Sequence, residues 1–141
     1  MPIRPENRAR YPKDWPAISR RIRSERAGNH CEECGVRNHE LGGRTPDGKW
    51  HKARPTGTDG MNHTWPEPGS YNLCAGPNGL HELRIVRIVL TVAHLDHQPE
   101  NCADENLRAW CQRCHNLYDG AMRRAGTRER AFANQMKLFD Q

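Results

Sequence analysis

The chain has 141 residues, of which 35% are hydrophobic, and its mean hydropathy is −1.01, so its length suits one domain with a small core. It contains no apolar stretch as long as a membrane span, and its first ten residues lack the apolar region of a signal peptide, so we expect a cytoplasmic rather than a membrane or secreted protein. The net charge of +5 suits a polyanionic partner.

The N-terminal part of the sequence predicts a basic arm followed by a helix. Residues 1–13 contain three prolines and are expected to be irregular. Residues 14–28 carry helix signals, with Asp14 as the N-cap, Pro16 in the first turn and Gly28 at the C-terminus. Arginines on this helix are candidates for phosphate contacts, and a solvated basic face is the alternative interpretation. They are Arg20, Arg21, Arg23 and Arg26.

Two C-x2-C pairs are the clearest local signal for a metal. The first pair lies in a predicted tight turn and the second opens a predicted helix, as in a treble-clef-like zinc site. The four residues are Cys31, Cys34, Cys111 and Cys114. Four thiolates match the tetrahedral coordination of structural Zn²⁺, and a reducing cytoplasm favours metal ligands over disulfides. Cys74 and Cys102 have no partner at ligand spacing and are predicted to be free thiols.

The sequence between and after the two cysteine pairs divides into a Gly- and Pro-rich segment and a segment with strand and helix patterns. Residues 41–80 are rich in Gly and Pro and predict a long insertion with little regular structure. Residues 81–120 begin with a β-branched run, predicted to be a strand or hairpin arm, and continue through a turn capped by Asp104 into a helix. A last helix is predicted over residues 127–139, and its apolar residues at helical spacing are expected to pack against the core. They are Phe132, Met136 and Phe139.

The segments AHLDH and ENLRAWCQRCHN resemble the HNH endonucleases, the zinc-stabilised branch of the ββα-metal nucleases, and in particular their small phage-borne members. The specific feature is Asn106, which lies nine residues before His115, the histidine that directly follows the second cysteine pair. The likeness covers residues 31–34 and about 84–119. It implies an α+β fold with a ββα-metal core on a treble-clef-like zinc knuckle and flanking helices.

The resemblance also implies an activity and the residues that perform it. HNH nucleases hydrolyse phosphodiester bonds in DNA with Mg²⁺ or another divalent cation, whereas the zinc supports the fold. Carried over to this chain, His94 is the general base, Asn106 orients it, and His115 binds the catalytic cation. The chain departs from the family at Ala93, where most relatives have an Asp or His ligand.

The missing ligand leaves two registers open. In the favoured register His94 is the base, because its distance from Asn106 is closer to that of the family, and Asp96 supplies the absent carboxylate from the same face of a strand. In the other register Asp96 and His97 are the ligand and base. Asp119, one helical turn beyond the metal-binding histidine, is a second candidate ligand of the cation.

We therefore expect a phage-type, divalent-metal-dependent DNA endonuclease that works in the cytoplasm of a bacterial host cell. The main alternative is a zinc-stabilised DNA-binding module whose nuclease site has decayed, and Ala93 keeps this hypothesis open. A third hypothesis is a zinc domain for protein contacts in phage assembly. The sequence also leaves open whether the chain acts alone or beside a larger phage packaging or recombination enzyme.

Overall fold

The N-terminal segment is helical in two pieces. The computed structural model describes residues 3–55 and 64–139. A 3-10 helix, Pro5–Arg10, starts with a proline that needs no intrahelical N–H, so the arm expected to be irregular over residues 1–13 contains a helical turn. Helix α1, Trp15–Arg21, continues as a π-helical turn, Ile22–Arg26, before Gly28 takes a positive φ of 56°.

The segment between the cysteine pairs forms β-structure, which corrects the prediction of little regular structure over residues 41–80. Four short strands lie in or at the end of this range, and a fifth follows. They are β1 (Leu41–Arg44), β2 (Trp50–Lys52), β3 (Tyr71–Gly76), β4 (Gly79–Arg84) and β5 (Val86–Arg87). Strand β1 lies between β2 and β5, and β3 pairs with β4 in a separate hairpin. Gly42 permits this packing, since a Cβ atom there would lie 2.3 Å from the carbonyl oxygen of His51.

A second antiparallel hairpin connects the predicted site residues. Strand β6, Leu90–His94, pairs with β7, Leu107–Cys111, in a register that places Leu90 opposite Cys111 and His94 opposite Leu107. The sequence predicted a turn that runs straight into a helix here, but a strand intervenes. Asp104 opens a short 3-10 helix, Asp104–Asn106, without a side-chain capping bond.

The core consists of small separate clusters, as the low hydrophobic content suggests. One cluster includes Val36, Leu90 and Trp110 and surrounds the cysteine pairs. On another face of the hairpin, Ile22 packs against Leu107 and Ala109. Among the described residues no cluster is large, so a metal ion that joins distant segments would contribute a substantial part of the stability.

Helix α2, Gln112–Phe139, is a single long helix, and the helix predicted over residues 127–139 is its C-terminal part. Beyond its first two turns it extends away from the hairpin, and Phe132 and Met136 are 65% and 49% exposed. The prediction that this stripe packs against the core is therefore wrong for these two residues, and the side chain of Phe139 lies outside the described set. Within residues 3–55 and 64–139, no helix combines the length and apolarity needed to cross a bilayer.

Candidate metal centre and nuclease site

Four cysteines form a compact cluster that can hold a metal ion. Their sulfur atoms all lie within 4.8 Å of one another, and the cluster comprises Cys31, Cys34, Cys111 and Cys114. The first pair lies in a turn closed by the bond from the Gly35 amide to the Cys31 carbonyl, 2.9 Å. The second pair spans the junction of β7 and α2. An all-sulfur set of four donors is the set that structural Zn²⁺ uses.

Protons on these thiols compete with a bound cation. Cys111 donates a hydrogen bond to Cys31, which raises the pKa of Cys111 and lowers that of Cys31. Burial also raises the pKa of Cys114. Without a cation, at least two thiols therefore keep their protons at neutral pH. A metal ion must displace those protons, so its affinity rises with pH.

Arg26, a predicted phosphate contact, instead connects the first cysteine turn to the hairpin. Its guanidinium donates to both carboxylate oxygens of Glu32, at 3.1 and 2.8 Å, and to the Leu107 carbonyl at 2.5 Å. Glu32 in turn accepts a 2.6 Å bond from the amide of Ala109. Arg26 is thus a structural clamp, and no feature of the sequence distinguished it from its neighbours.

The other three predicted arginines have different surroundings. Arg21 donates two hydrogen bonds to the Asp104 carboxylate, at 2.9 and 2.5 Å, so it is also paired within the fold. Arg23 uses its Nε to donate to the Ser19 carbonyl and lines a surface cleft. Arg20 is exposed and makes no side-chain hydrogen bond or ion pair within the described part of the chain.

Arg44 contacts the cysteine cluster directly and was not identified from the sequence. Its Nη2 lies 3.4 Å from the sulfur of Cys34 and 3.6 Å from that of Cys111. The same guanidinium lies over the ring of Trp50, 5.3 Å from its centroid. Arg44 belongs to β1, within the segment predicted to be irregular, so no local signal pointed to the cysteines.

A second group of potential ligands lies at the cleft. Asp119 places one carboxylate oxygen 3.5 Å from His115 Nε2 and the other 4.0 Å from His97 Nδ1. The cleft has a volume of about 750 Å³, and Arg4 and Arg23 also line it. We call His97, His115 and Asp119 the cleft triad. Two imidazoles and a carboxylate are suitable ligands for a divalent cation, and two arginines nearby favour an anionic substrate.

Thr91 orients His115 within the cleft triad. Its hydroxyl lies 3.0 Å from His115 Nδ1 and 3.4 Å from the Trp110 carbonyl oxygen. When the hydroxyl donates to that carbonyl, it accepts from Nδ1–H, and the Nε2 lone pair then faces Asp119. Two acceptors that face each other need a proton or a cation between them. No local signal in the sequence points to Thr91, because its role depends on the pairing of β6 with β7.

His94, the favoured base in the sequence analysis, lies outside the cleft triad. It is 9% exposed, its ring stacks on Trp15 at 4.9 Å, and Tyr11 contacts it edge-on. Its Nε2 lies 3.7 Å from the sulfur of Cys102. Burial lowers the pKa of His94. The structure therefore gives His94 the surroundings of a packed core residue.

Asp96 and Asn106 hold the turn that precedes the cleft triad. The Asp96 carboxylate accepts hydrogen bonds from Asn101 Nδ2 at 2.7 Å, the Gln98 amide at 2.8 Å and Asn106 Nδ2 at 2.9 Å. These bonds lower the pKa of Asp96 to about 2. Asn106 thus orients Asp96 rather than a histidine. The turn fixes His97 at a positive φ of 57°, which only a well-determined local structure sustains.

Replacing Asp96 with Ala is expected to lower Tm by a few degrees, because the carboxylate stabilises a turn. The cation concentration needed for the DNA cleavage expected from the sequence should stay unchanged. The pKa of Asp96 is lower in the folded state than in the unfolded state. The carboxylate therefore stabilises the fold at pH values above its unfolded pKa, and this stabilisation is lost as pH falls toward 2. Thermal melts at pH 7 and at acid pH measure the change in Tm and its dependence on pH. Glu105→Ala, which removes an exposed carboxylate nearby, is the control. An unchanged Tm with a raised cation requirement would instead make Asp96 a ligand.

Two groups of potential ligands therefore lie beside one hairpin. Four sulfurs lie at one end, and in the cleft triad His97 follows β6 whereas His115 and Asp119 lie in the first turns of α2. His115 directly follows Cys114, so the same helical turn contributes to both. The triad includes three residues named from the sequence, but it excludes His94, Asp96 and Asn106. Comparison with known protein families, curated proteins and solved structures found no match to this chain.

Proposed function

We propose that the protein is a divalent-metal-dependent DNA endonuclease in which His115 and Asp119 hold the catalytic cation and His97 is the general base. The convergence of these three side chains at an arginine-lined cleft carries the proposal. The resemblance of the surrounding motif to HNH nucleases supports it. The four-cysteine cluster is proposed to hold a structural zinc ion, because its donors and their spacing suit that metal.

The cleft triad has the groups that phosphodiester hydrolysis requires. A divalent cation bound there supplies charge neutralisation at the phosphate and the leaving oxygen. His97 is half-exposed and stacks on Tyr118 at 5.6 Å, so its ring is held beside the cleft and can accept a proton from water. Arg4 and Arg23 are positioned to bind neighbouring phosphates of the substrate.

The comparison of the two histidines supports the register with His97 as base. A general base must reach a water molecule next to the substrate. His94 is covered by Trp15 and Tyr11, and its lowered pKa follows from that burial. His97 faces the same carboxylate as His115 and lines the cleft. This register reverses the preference drawn from the sequence, which relied on spacing alone.

A second candidate function is a DNA-binding module without nuclease activity. One observation favours it: the amide of Asn106, which orients the base in the family, is bound to Asp96 and the Asn101 carbonyl. Neither histidine of the cleft triad therefore receives a hydrogen bond from Asn106 in the described structure. In this case the arginines would still bind phosphates, but bound DNA would remain intact.

Incubation of supercoiled plasmid with Mg²⁺, Mn²⁺ or Ni²⁺ tests the proposal. We expect relaxed or linear product with at least one cation, and none with EDTA. His115→Ala is expected to abolish the product while zinc content stays unchanged, because only the cleft triad loses a ligand. His30→Ala, which removes an exposed histidine elsewhere, serves as the control. DNA that is bound but uncut with every cation would favour the second candidate function.

A further inference from the structure

The face of α2 that carries His115 and Asp119 continues past the cleft as a basic face. With 3.6 residues per turn, Arg123 and Arg130 lie within about 80° of His115 around the helix axis. Arg123 is 70% exposed and its Nη2 lies 3.6 Å from an oxygen of Asp119, so the basic face begins where the cleft ends. Arg130 donates through Nε to the Gly126 carbonyl at 3.1 Å.

The distal half of α2 is strongly positive and has no compensating partner among the described residues. Four arginines lie between Gly120 and Phe132, against the single carboxylate of Glu129. They are Arg123, Arg124, Arg128 and Arg130. Apart from the contact of Arg123 with Asp119, none forms an ion pair within the part of the chain that the structure describes. A helix that projects with unpaired arginines is suited to a polyanion.

We propose that Arg123 and Arg130 bind the phosphate backbone of duplex DNA on one side of the cleft, so that α2 is a track for the flanking duplex. The position of the cleavage point rests on the function proposed above, whereas the track itself does not. The helix rises 1.5 Å per residue, so Arg130 lies roughly 16 Å beyond Asp119, which corresponds to about five base pairs of duplex. The preferred substrate is then a duplex that extends at least this far on one side.

The chain offers a matched control for this track. Arg124 and Arg128 lie in the same segment, but at least about 100° around the helix from Arg123 and Arg130. The double variants R123E/R130E and R124E/R128E therefore change the charge equally and differ only in the face that they alter. Circular dichroism and zinc content establish that both variants fold like the parent chain.

Binding to a labelled 30-base-pair duplex in EDTA, measured across salt concentrations, tests the proposal. We expect R123E/R130E to weaken binding at least about tenfold and to reduce the salt slope by roughly two, since two phosphate contacts are lost. R124E/R128E is expected to change affinity less than about threefold.

The outcomes separate the track from the nuclease. A face-specific loss of binding in a protein that cuts no plasmid would support the track and reject the nuclease. Equal losses in the two double variants, with metal-dependent cleavage of plasmid intact in the parent chain, would overturn the track and leave the nuclease standing. Unchanged binding by both variants on the long duplex would also overturn the track.

Discussion

Replacing Cys111 with Ser is expected to abolish the folded state rather than to weaken it. Cys111 is fully buried in the core cluster that also contains Cys31, Cys114, Leu90 and Trp110. Structural zinc contributes about 10–16 kcal/mol in small zinc domains, as much as the entire stability of a typical domain, about 5–15 kcal/mol. Circular dichroism and zinc analysis of the purified variant would show an unfolded or aggregated chain without metal.

Cys102→Ser is the matched control, because it makes the same chemical change outside the four-cysteine cluster. Cys102 lies near His94 and donates to the Pro99 carbonyl at 3.3 Å, so serine can replace it there. This variant is expected to keep one zinc ion per chain and a normal fold. Acid should release the metal from the parent chain, because the thiols regain their protons as pH falls. A well-folded parent chain without zinc would refute the structural role of the metal.

The second large effect concerns His97, the proposed general base. His97→Phe is expected to reduce plasmid cleavage by about 10²–10⁴-fold, because a positioned general base contributes that much. Phenylalanine keeps an aromatic ring against Tyr118, so the variant removes the nitrogen atoms with little change in packing. His94→Phe keeps the ring against Trp15 and is expected to retain activity.

Initial rates of plasmid cleavage at saturating cation, with zinc content and DNA affinity measured alongside, distinguish the two registers. Both variants should bind zinc and DNA as the parent does. An inactive His94→Phe beside an active His97→Phe would restore the register that the sequence favoured. Loss of activity in both variants, with normal zinc content, would show that buried His94 also acts in the reaction.

The features predicted well from the sequence depend on local signals of unambiguous chemistry. Two C-x2-C pairs specify a four-sulfur site whatever the connection between them, and the structure brings their sulfurs within 4.8 Å. The nearness of Asp119 to His115 follows because positions four apart share a helical face, and an Asp119 oxygen lies 3.5 Å from His115 Nε2. Both inferences needed only spacing within one short element.

The features predicted poorly depend on partners that are distant in sequence. Strands β1 and β2 are only four and three residues long, which is too short for a clear strand pattern. The glycines of β1 are typical of a loop, but Gly42 is needed because β2 approaches it closely. Phe132 and Met136 have helical spacing on α2, but spacing does not show whether another element of the fold packs against them. The surroundings of His97 depend on a turn held by hydrogen bonds between side chains, which spacing along the chain does not show.

The chain segment between the two cysteine pairs begins and ends at neighbouring positions, because residues 39–40 are hydrogen-bonded to Ile88, just before β6. The amide of His39 donates to the Ile88 carbonyl at 2.8 Å, and the amide of Ile88 donates to the Glu40 carbonyl at 2.9 Å. Cys34 and Cys111 are 77 positions apart in the sequence. The two bonds between residues 39–40 and Ile88 close most of this segment into a side loop. The loop-closure entropy of joining the cysteine pairs then reflects a much shorter effective chain, so residues added inside the side loop should hardly slow assembly of the metal site.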